Sequence, residues 1–315
     1  MNRTSRTPSR GWRAALSTGA DRIEKPIELL IRVCGWSSII LVVAIFCFVF
    51  WYAAPLLPKI DWFGQDGFFT STNWHAKERS GATYGVLAMI VGNFAVAGLA
   101  MVIAIPLGLA AAVYISEFAG PRAKEWFKVA IEILAAIPSI VWGFIAITMI
   151  GPILIKYAGA TMGTNLLNGG LVLGLMSVPL IVSLAEDSLR AVPDNYREAA
   201  MALGANRWEI VYRVLFPAAR SGLLAACMLG VGRAIGETMA VLLATGNKNQ
   251  IPYALTDPMT TLTATIAAEM GDAEAGSPHS QSLFTIGLLL LVITCAINLT
   301  ANLLIRGNKR KSASA

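Results

Sequence analysis

Five stretches of this chain carry no Asp, Glu, Lys or Arg: residues 33–58, 80–116, 133–155, 157–185 and 275–305. Each is longer than the roughly 20 residues that cross about 30 Å of hydrocarbon at ~1.5 Å per residue. A sixth, 221–247, is interrupted only by Arg233 and Glu237. Charged side chains make up 14% of the 315 residues and hydrophobic ones 56%, against about a quarter charged in a soluble domain. That is too little polar surface to cover a water-exposed fold, so a soluble enzyme is excluded. The pattern predicts an all-α polytopic membrane protein with six transmembrane helices, at about 33–55, 84–116, 131–155, 166–188, 221–245 and 283–305. The second exceeds one straight span. A kink at Pro106 would accommodate it, as would one end leaving the bilayer.

The connections set the orientation. Of 25 basic residues, 19 fall in the N-terminal tail, the second and fourth connections and the C-terminus. The opposite side holds Lys59, Lys77, Arg79, Lys156 and Lys248. The positive-inside rule then places both termini in the cytoplasm, as an even number of helices requires. The expected organisation is a basic tail (1–32), a six-helix transmembrane domain (33–305) with a cytoplasmic loop at 186–220, and a second basic tail (306–315). The first apolar run is too long for a signal peptide, and Pro55 directly follows Ala53-Ala54, so it is the first helix. Topology accounts for the net charge of +6; nucleic-acid binding is not needed to explain it. The basic N-terminal tail suits anionic membrane lipid.

Several chemistries lack their residues. Cys34, Cys47, Cys227 and Cys295 have no metal spacing and are expected to be small core hydrophobes. His75 and His279 are expected to be solvated loop residues. No metal site and no cofactor of this chain are expected. There is no G-x-x-x-x-G-K-[ST] loop, so ATP, if it drives this protein, is bound and hydrolysed with Mg on another chain.

The loop from Arg190 to Pro217 divides into two short helices. Asn195 with Glu198, and Asn206 with Glu209, are spaced as capping boxes. Gly204 suits a left-handed helix end, and Pro217 is expected to stop the second helix. Tyr196, Ala199, Ala200 and Leu203 fall on one stripe whose alanines leave it shallow. The periodicity alone also fits a helix lying in the headgroups. Glu198-Ala199-Ala200, then Gly204 and the downstream Pro217, resembles the EAA loop of ABC importer permeases. The resemblance implies that this segment docks on an ATPase subunit.

Arg233 and Glu237 lie near mid-membrane by residue count, where each charge costs roughly 2.5–3.5 kcal/mol. Glu237 is one turn beyond Arg233, on the same face. They are then either an ion pair locking the bundle or an anion site on a path. Guanidinium is always charged, and its fork matches a tetrahedral oxyanion. Glu237 would weaken an anion's hold on Arg233 and accept a hydrogen bond from a protonated one, which favours phosphate over sulfate. Gly232 and Gly236 form a G-x-x-x-G pair that permits close helix approach. Pro138-Ser139 can free a backbone carbonyl beside a path or serve as an architectural kink.

The stretch Gly232-Arg-Ala-Ile-Gly-Glu-Thr-Met-Ala-Val241 resembles the C-type permease subunits of phosphate-specific (Pst) ABC importers. Ala136-Ile-Pro-Ser-Ile-Val-Trp-Gly143, Ile105-Pro-Leu-Gly108 and Ser116-Glu-Phe118 match the same style. The likeness covers about 33–306 and implies the type I ABC importer permease (MetI-like) fold. It implies a phosphate pathway at Arg233, Glu237, Thr238, Pro138 and Ser139, and coupling through Glu198, Ala199, Ala200, Leu203 and Gly204. Its implied partners are a second permease (PstA-like), an ATPase pair (PstB-like) and an extracytoplasmic phosphate-binding protein (PstS-like). A permease for molybdate or sulfate, and an ion-coupled secondary transporter with Glu237 as proton carrier, are the alternative readings.

Overall fold

The computed structural model describes residues 11–77 and 81–313, with side chains described for 26–77 and 81–303. Contacts divide the chain into two compact units, residues 1–51 and 52–315. The first contains most of helix α1 (Gly11–Ala53), whose apolar part begins at Pro26.

The second unit holds the remaining helices: α2 (Leu87–Val113), α3 (Pro121–Ala136), α4 (Ser139–Ile145), α5 (Gly151–Ala158), α6 (Leu166–Arg190), α7 (Asp194–Ala202), α8 (Arg207–Glu209), α9 (Phe216–Gly236), α10 (Met239–Ala244), α11 (Leu262–Glu269) and α12 (Pro278–Ala313). Single π-helical turns extend α2 to Phe118, join α4 to α5 and join α8 to α9. Among the described residues six helical stretches are long and apolar enough to span a membrane: 26–53, 87–118, 139–158, 166–190, 207–236 and 278–303. These residues contain two isolated β-bridges and no strand.

Helices α2, α6 and α9 form the centre. Small residues allow the approach: a Cβ on Gly170 would lie 2.5 Å from Leu99, and one on Gly108 2.7 Å from Ile181. Around them Val96, Ala100, Ala104, Leu173 and Ile181 make one apolar cluster. A second, at the end of α6 near α7, gathers Ile115, Leu189, Ala200, Val211 and Leu215. A third gathers Phe68, Val86, Met89, Leu262, Leu283 and Ile286 at the opposite end.

Six expectations are corrected. The third predicted helix, 131–155, is two helices, because Pro138 (ψ 144°) sits extended between α3 and α4. A proline lacks the donor and pushes its predecessor out of the helical region. The fifth, 221–245, starts at Arg207 and ends at Gly236, where Glu237 turns extended (φ −68°, ψ 133°). Pro217 stops nothing, since it follows the π turn at the start of α9, where a missing N–H does little harm. Asn195 caps nothing: α7 starts one residue earlier, behind Pro193, with no side-chain cap. Cys34, Cys47 and Cys295 are exposed rather than core. His279 is only 11% exposed and bonds Glu269 at 2.7 Å. Helix α2 passes through Pro106 without a break.

Candidate functional site

Depth follows from contacts along α6. On the antiparallel α9, a Cβ on Gly222 would meet Ser188, and one on Gly230 would lie 3.0 Å from Ile181. Three residues beyond Gly230, Arg233 is therefore level with Val178, the midpoint of the 25-residue α6. The guanidinium is exposed on the subunit and makes no ion pair or hydrogen bond among the described residues. Glu237 does not continue its helical face, because the helix has already ended. The intrahelical ion pair is therefore not formed.

The break at Glu237 has a counterpart at Pro138. Helices α4 and α10 pack side by side, with Gly143 allowing Leu243 to within 2.6 Å of a Cβ placed there. Their C-terminal ends meet the start of α6: Asn168 Nδ2 donates to Ala146 O at 2.8 Å, and Asn165 N to Ala244 O at 3.0 Å. The two short helices thus run parallel. Pro138 and Thr238 each precede the Gly143–Leu243 contact by five residues, so the two interruptions share one depth. The sequence-predicted Pro138, Ser139, Glu237 and Thr238 are brought to one level, with Arg233 about one helical turn from Glu237. A hydrocarbon core tolerates an interrupted helix only where backbone is buried in protein or lines a wet cavity.

Local bonds hold the second break. Thr238 Oγ1 donates to Gly236 O at 3.3 Å, Thr263 Oγ1 to Glu237 O at 2.8 Å, and Ala240 N approaches Glu237 Oε1 at 3.5 Å. Gly232 and Gly236 make no close helix contact here. A Cβ on Gly232 would have only Asn298 Oδ1 at 3.7 Å, and Gly236 faces open space.

The loop residues are arranged differently. Helix α7 ends in the two hydrogen bonds of a Schellman motif, Ala205 N to Ala200 O at 3.0 Å and Gly204 N to Met201 O at 2.9 Å. Gly204 takes φ +84°, the expected left-handed position. The second capping box forms, with Asn206 and Glu209 bonded reciprocally at 2.9 Å. The predicted stripe splits. Ala200 is buried, while Tyr196, Glu198, Ala199 and Leu203 are exposed, Leu203 at 89%. The outward face of α7 therefore leaves apolar side chains uncovered on the subunit.

Sequence reasoning missed Arg197, which was counted only as a topology charge. It reaches Glu117 at 2.9 Å through Nη2, and donates to Leu189 O at 2.9 Å and Val192 O at 2.8 Å. The hydrogen bond to Glu117, ahead of the cost of burial, raises the guanidinium pKa above its ordinary value. The available signal was Glu117 itself, a carboxylate directly ending a long charge-free run. Two carboxylates between α10 and α12 are also engaged. Asp257 caps Tyr253 N and Ala254 N, and Asp272 faces Lys77 at 3.4 Å. Among the described residues no group of three His, Cys, Asp or Glu side chains could hold a metal.

The family model described as the inner membrane component of binding-protein-dependent transport systems matches residues 104–311. The chain belongs to that family. The permease is 40% identical over 227 residues to a probable ABC transporter permease, YqgH, of Bacillus subtilis, covering 72% of this chain and 73% of that one. It is 37% identical over 257 residues to the phosphate transport system permease PstC of Haemophilus influenzae, covering 76% and 80%. Its fold matches a chain of a bacterial ABC transporter that imports alginate, at TM-score 0.62 and 14% identity over 93% of the permease and 98% of that chain. The permease is thus a multi-pass inner-membrane transport subunit with the ABC importer permease fold.

Proposed function

We propose that this chain is a membrane-spanning subunit of an ATP-driven importer that moves inorganic phosphate into the cytoplasm by alternating access. Arg233 carries the reading: an exposed guanidinium without a counter-charge among the described residues, at mid-span, one turn from a helix interruption. A charge so placed is tolerated on a wet path or an interface between subunits, not against lipid. Its fork suits a tetrahedral oxyanion. Glu237 on the same break keeps binding weak enough for release and accepts a hydrogen bond from protonated phosphate. Relatives carrying the PstC name support the choice of phosphate. Glu237, Thr238, Pro138 and Ser139 are the other expected pathway residues.

The open faces at Gly232, Gly236 and Arg233 suit a second, homologous permease subunit (PstA-like), with the path between the two. An ATPase pair (PstB-like) binds ATP and Mg and meets the exposed face of α7 through Glu198, Ala199, Leu203 and the turn at Gly204. An extracytoplasmic phosphate-binding protein (PstS-like) delivers the anion on the opposite side. Both termini are cytoplasmic in this reading, by the charge asymmetry of the connections.

Uptake of labelled phosphate, with sulfate and molybdate controls, in cells expressing Arg233→Gln or Glu237→Gln tests the proposal. Phosphate uptake should fall at least about tenfold in Arg233→Gln, the factor expected for losing a charge-assisted pair. Unchanged uptake by a fully assembled Arg233→Gln complex would remove Arg233 from the path. Competition by molybdate at equal potency would shift the substrate to oxyanions generally.

A further inference from the structure

The interruption at Glu237 has no proline, yet it is held open. Four threonines just before α11 and in its first turn are 5% exposed or less: Thr260, Thr261, Thr263 and Thr265. Two of them make a chain with a fixed direction. The carbonyl of Glu237, turned out of the helix, can only accept, so Thr263 Oγ1 donates to it at 2.8 Å. Thr263 then accepts from Thr261 Oγ1 at 3.1 Å, and Thr261 accepts from Ala264 N at 3.1 Å as the cap of α11. Hydrogen bonds aligned in this way polarise one another in a low dielectric.

The threonine segment is itself clamped. Gly92 of α2 lies so close to Thr260 O that no side chain fits between them. Met259 N donates to Thr245 O at 2.9 Å, and Thr260 and Thr265 pair through their hydroxyls at 3.2 Å. The far end of α11 is pinned as well. Glu269 accepts from Trp74 Nε1 at 3.1 and 3.2 Å and bonds His279 Nε2 at 2.7 Å. One eight-residue helix therefore joins the loop before α2 and the first turn of α12 to the backbone of the break.

We infer that Thr263 is a positioning residue: its hydroxyl fixes the Glu237 carbonyl and so the placement of the Glu237–Thr238 break beside Arg233. Through α11 it also ties that placement to the loop before α2 and the first turn of α12. The inference rests on the reading of Arg233 and Glu237 as pathway residues. Without the donor, the freed carbonyl seeks another partner, including a re-formed helix through Thr238. The break then samples arrangements that do not carry the anion.

The test uses the full complex with its partner subunits in vesicles, with saturating binding protein and phosphate, and rates expressed per assembled complex. Thr263→Val keeps the shape and removes the hydroxyl; its maximal uptake rate should fall at least about fivefold, the factor that one buried hydrogen bond supports. Thr263→Ser should restore the wild-type rate. A residue needed only for folding would lower the amount of complex and leave the rate per complex intact. Per-complex rates within twofold of wild type for Thr263→Val would overturn the inference. If Thr263→Val does not assemble, Thr263→Cys, a poor donor of similar size, decides between the outcomes: a rate well below that of Thr263→Ser supports positioning, and equal rates refute it. Arg233→Gln in the same vesicles separates the two ideas. Full transport by Arg233→Gln sinks the pathway reading, whereas a defect there beside a normal Thr263→Val sinks only the role of Thr263.

Discussion

Arg197 Nη2 lies 2.9 Å from Glu117 Oε1, and this bond ties the exposed helix α7 to the end of α2. The same guanidinium takes two backbone carbonyls at the end of α6, so one side chain seats α7 on two membrane helices. The pair is 16% and 13% exposed. Removing Glu117 leaves the mostly buried guanidinium with only the exposed Asp194, 3.0 Å from Nη1, as counter-charge, a loss of about 1.5–3 kcal/mol for the charged hydrogen bond. Glu117→Ala should therefore lower the thermal midpoint of the purified complex and cut ATP-driven uptake. Arg197→Lys keeps the charge but cannot reach all these acceptors, and should fall between Glu117→Ala and wild type. An Arg197→Lys complex with normal uptake would show that charge alone seats the helix.

Gly204 sets where α7 stops. Its φ of +84° is strained for any residue with a side chain, by about 1–2 kcal/mol. The space around it is open, so a substituent clashes with nothing and the backbone conformation is the only structural cost. Gly204→Val should uncouple uptake from ATP hydrolysis, because the exposed face of α7 is re-aimed. Gly204→Asn, which tolerates the left-handed region, should retain most of it. Phosphate uptake measured beside ATPase activity in the reconstituted complex distinguishes the two outcomes.

Glu269 should matter to stability more than an outer-loop carboxylate ordinarily does. It bonds both Trp74 and His279, residues far apart in sequence. Glu269→Ala leaves two partly buried donors without their acceptor, a loss of about 1–3 kcal/mol. Thermal unfolding of the complex measures it, and a midpoint within a degree of wild type would assign the bonds no net worth.

The contrast between the two breaks shows what the sequence could disclose. At Pro138 the signal is local, since a missing donor and a restricted predecessor are properties of the residue type. The chain read alone gave the position and only understated a break as a kink. At Glu237 nothing local forbids a helix through Thr238 and Met239, and the apolar run continues. The break there depends on Thr263, twenty-six residues later, and no periodicity encodes that partnership. Charge-free length marked the spans because hydrocarbon imposes it on every helix. Arg197 was legible as a charge but not as an anchor, because its acceptors are backbone carbonyls and a carboxylate eighty residues away.

The shared depth of the two breaks rests on Gly143 facing Leu243, which a double-mutant cycle can test. A Cβ at position 143 would come within 2.6 Å of Leu243 Cδ1 and 2.9 Å of its Cβ. The nearer atom belongs to the end of a flexible side chain, but the Leu243 Cβ has little room to retreat. Gly143→Val adds further carbons on a branched side chain and should drive α4 from α10, with a cost of about 1–3 kcal/mol for overpacking. Uptake should fall as the two breaks lose register. Leu243→Ala alone removes the contact and should cost less, since the site can be partly filled from α4. The combination Gly143→Val with Leu243→Ala removes the clash with Cδ1 but keeps the one with Cβ, so it should recover part of the stability and uptake lost in Gly143→Val, giving a coupling energy of about 0.5–3 kcal/mol. Strict additivity of the two substitutions would mean that the helices do not meet there. Recovery of stability without uptake would mean that the register serves the fold and not the path.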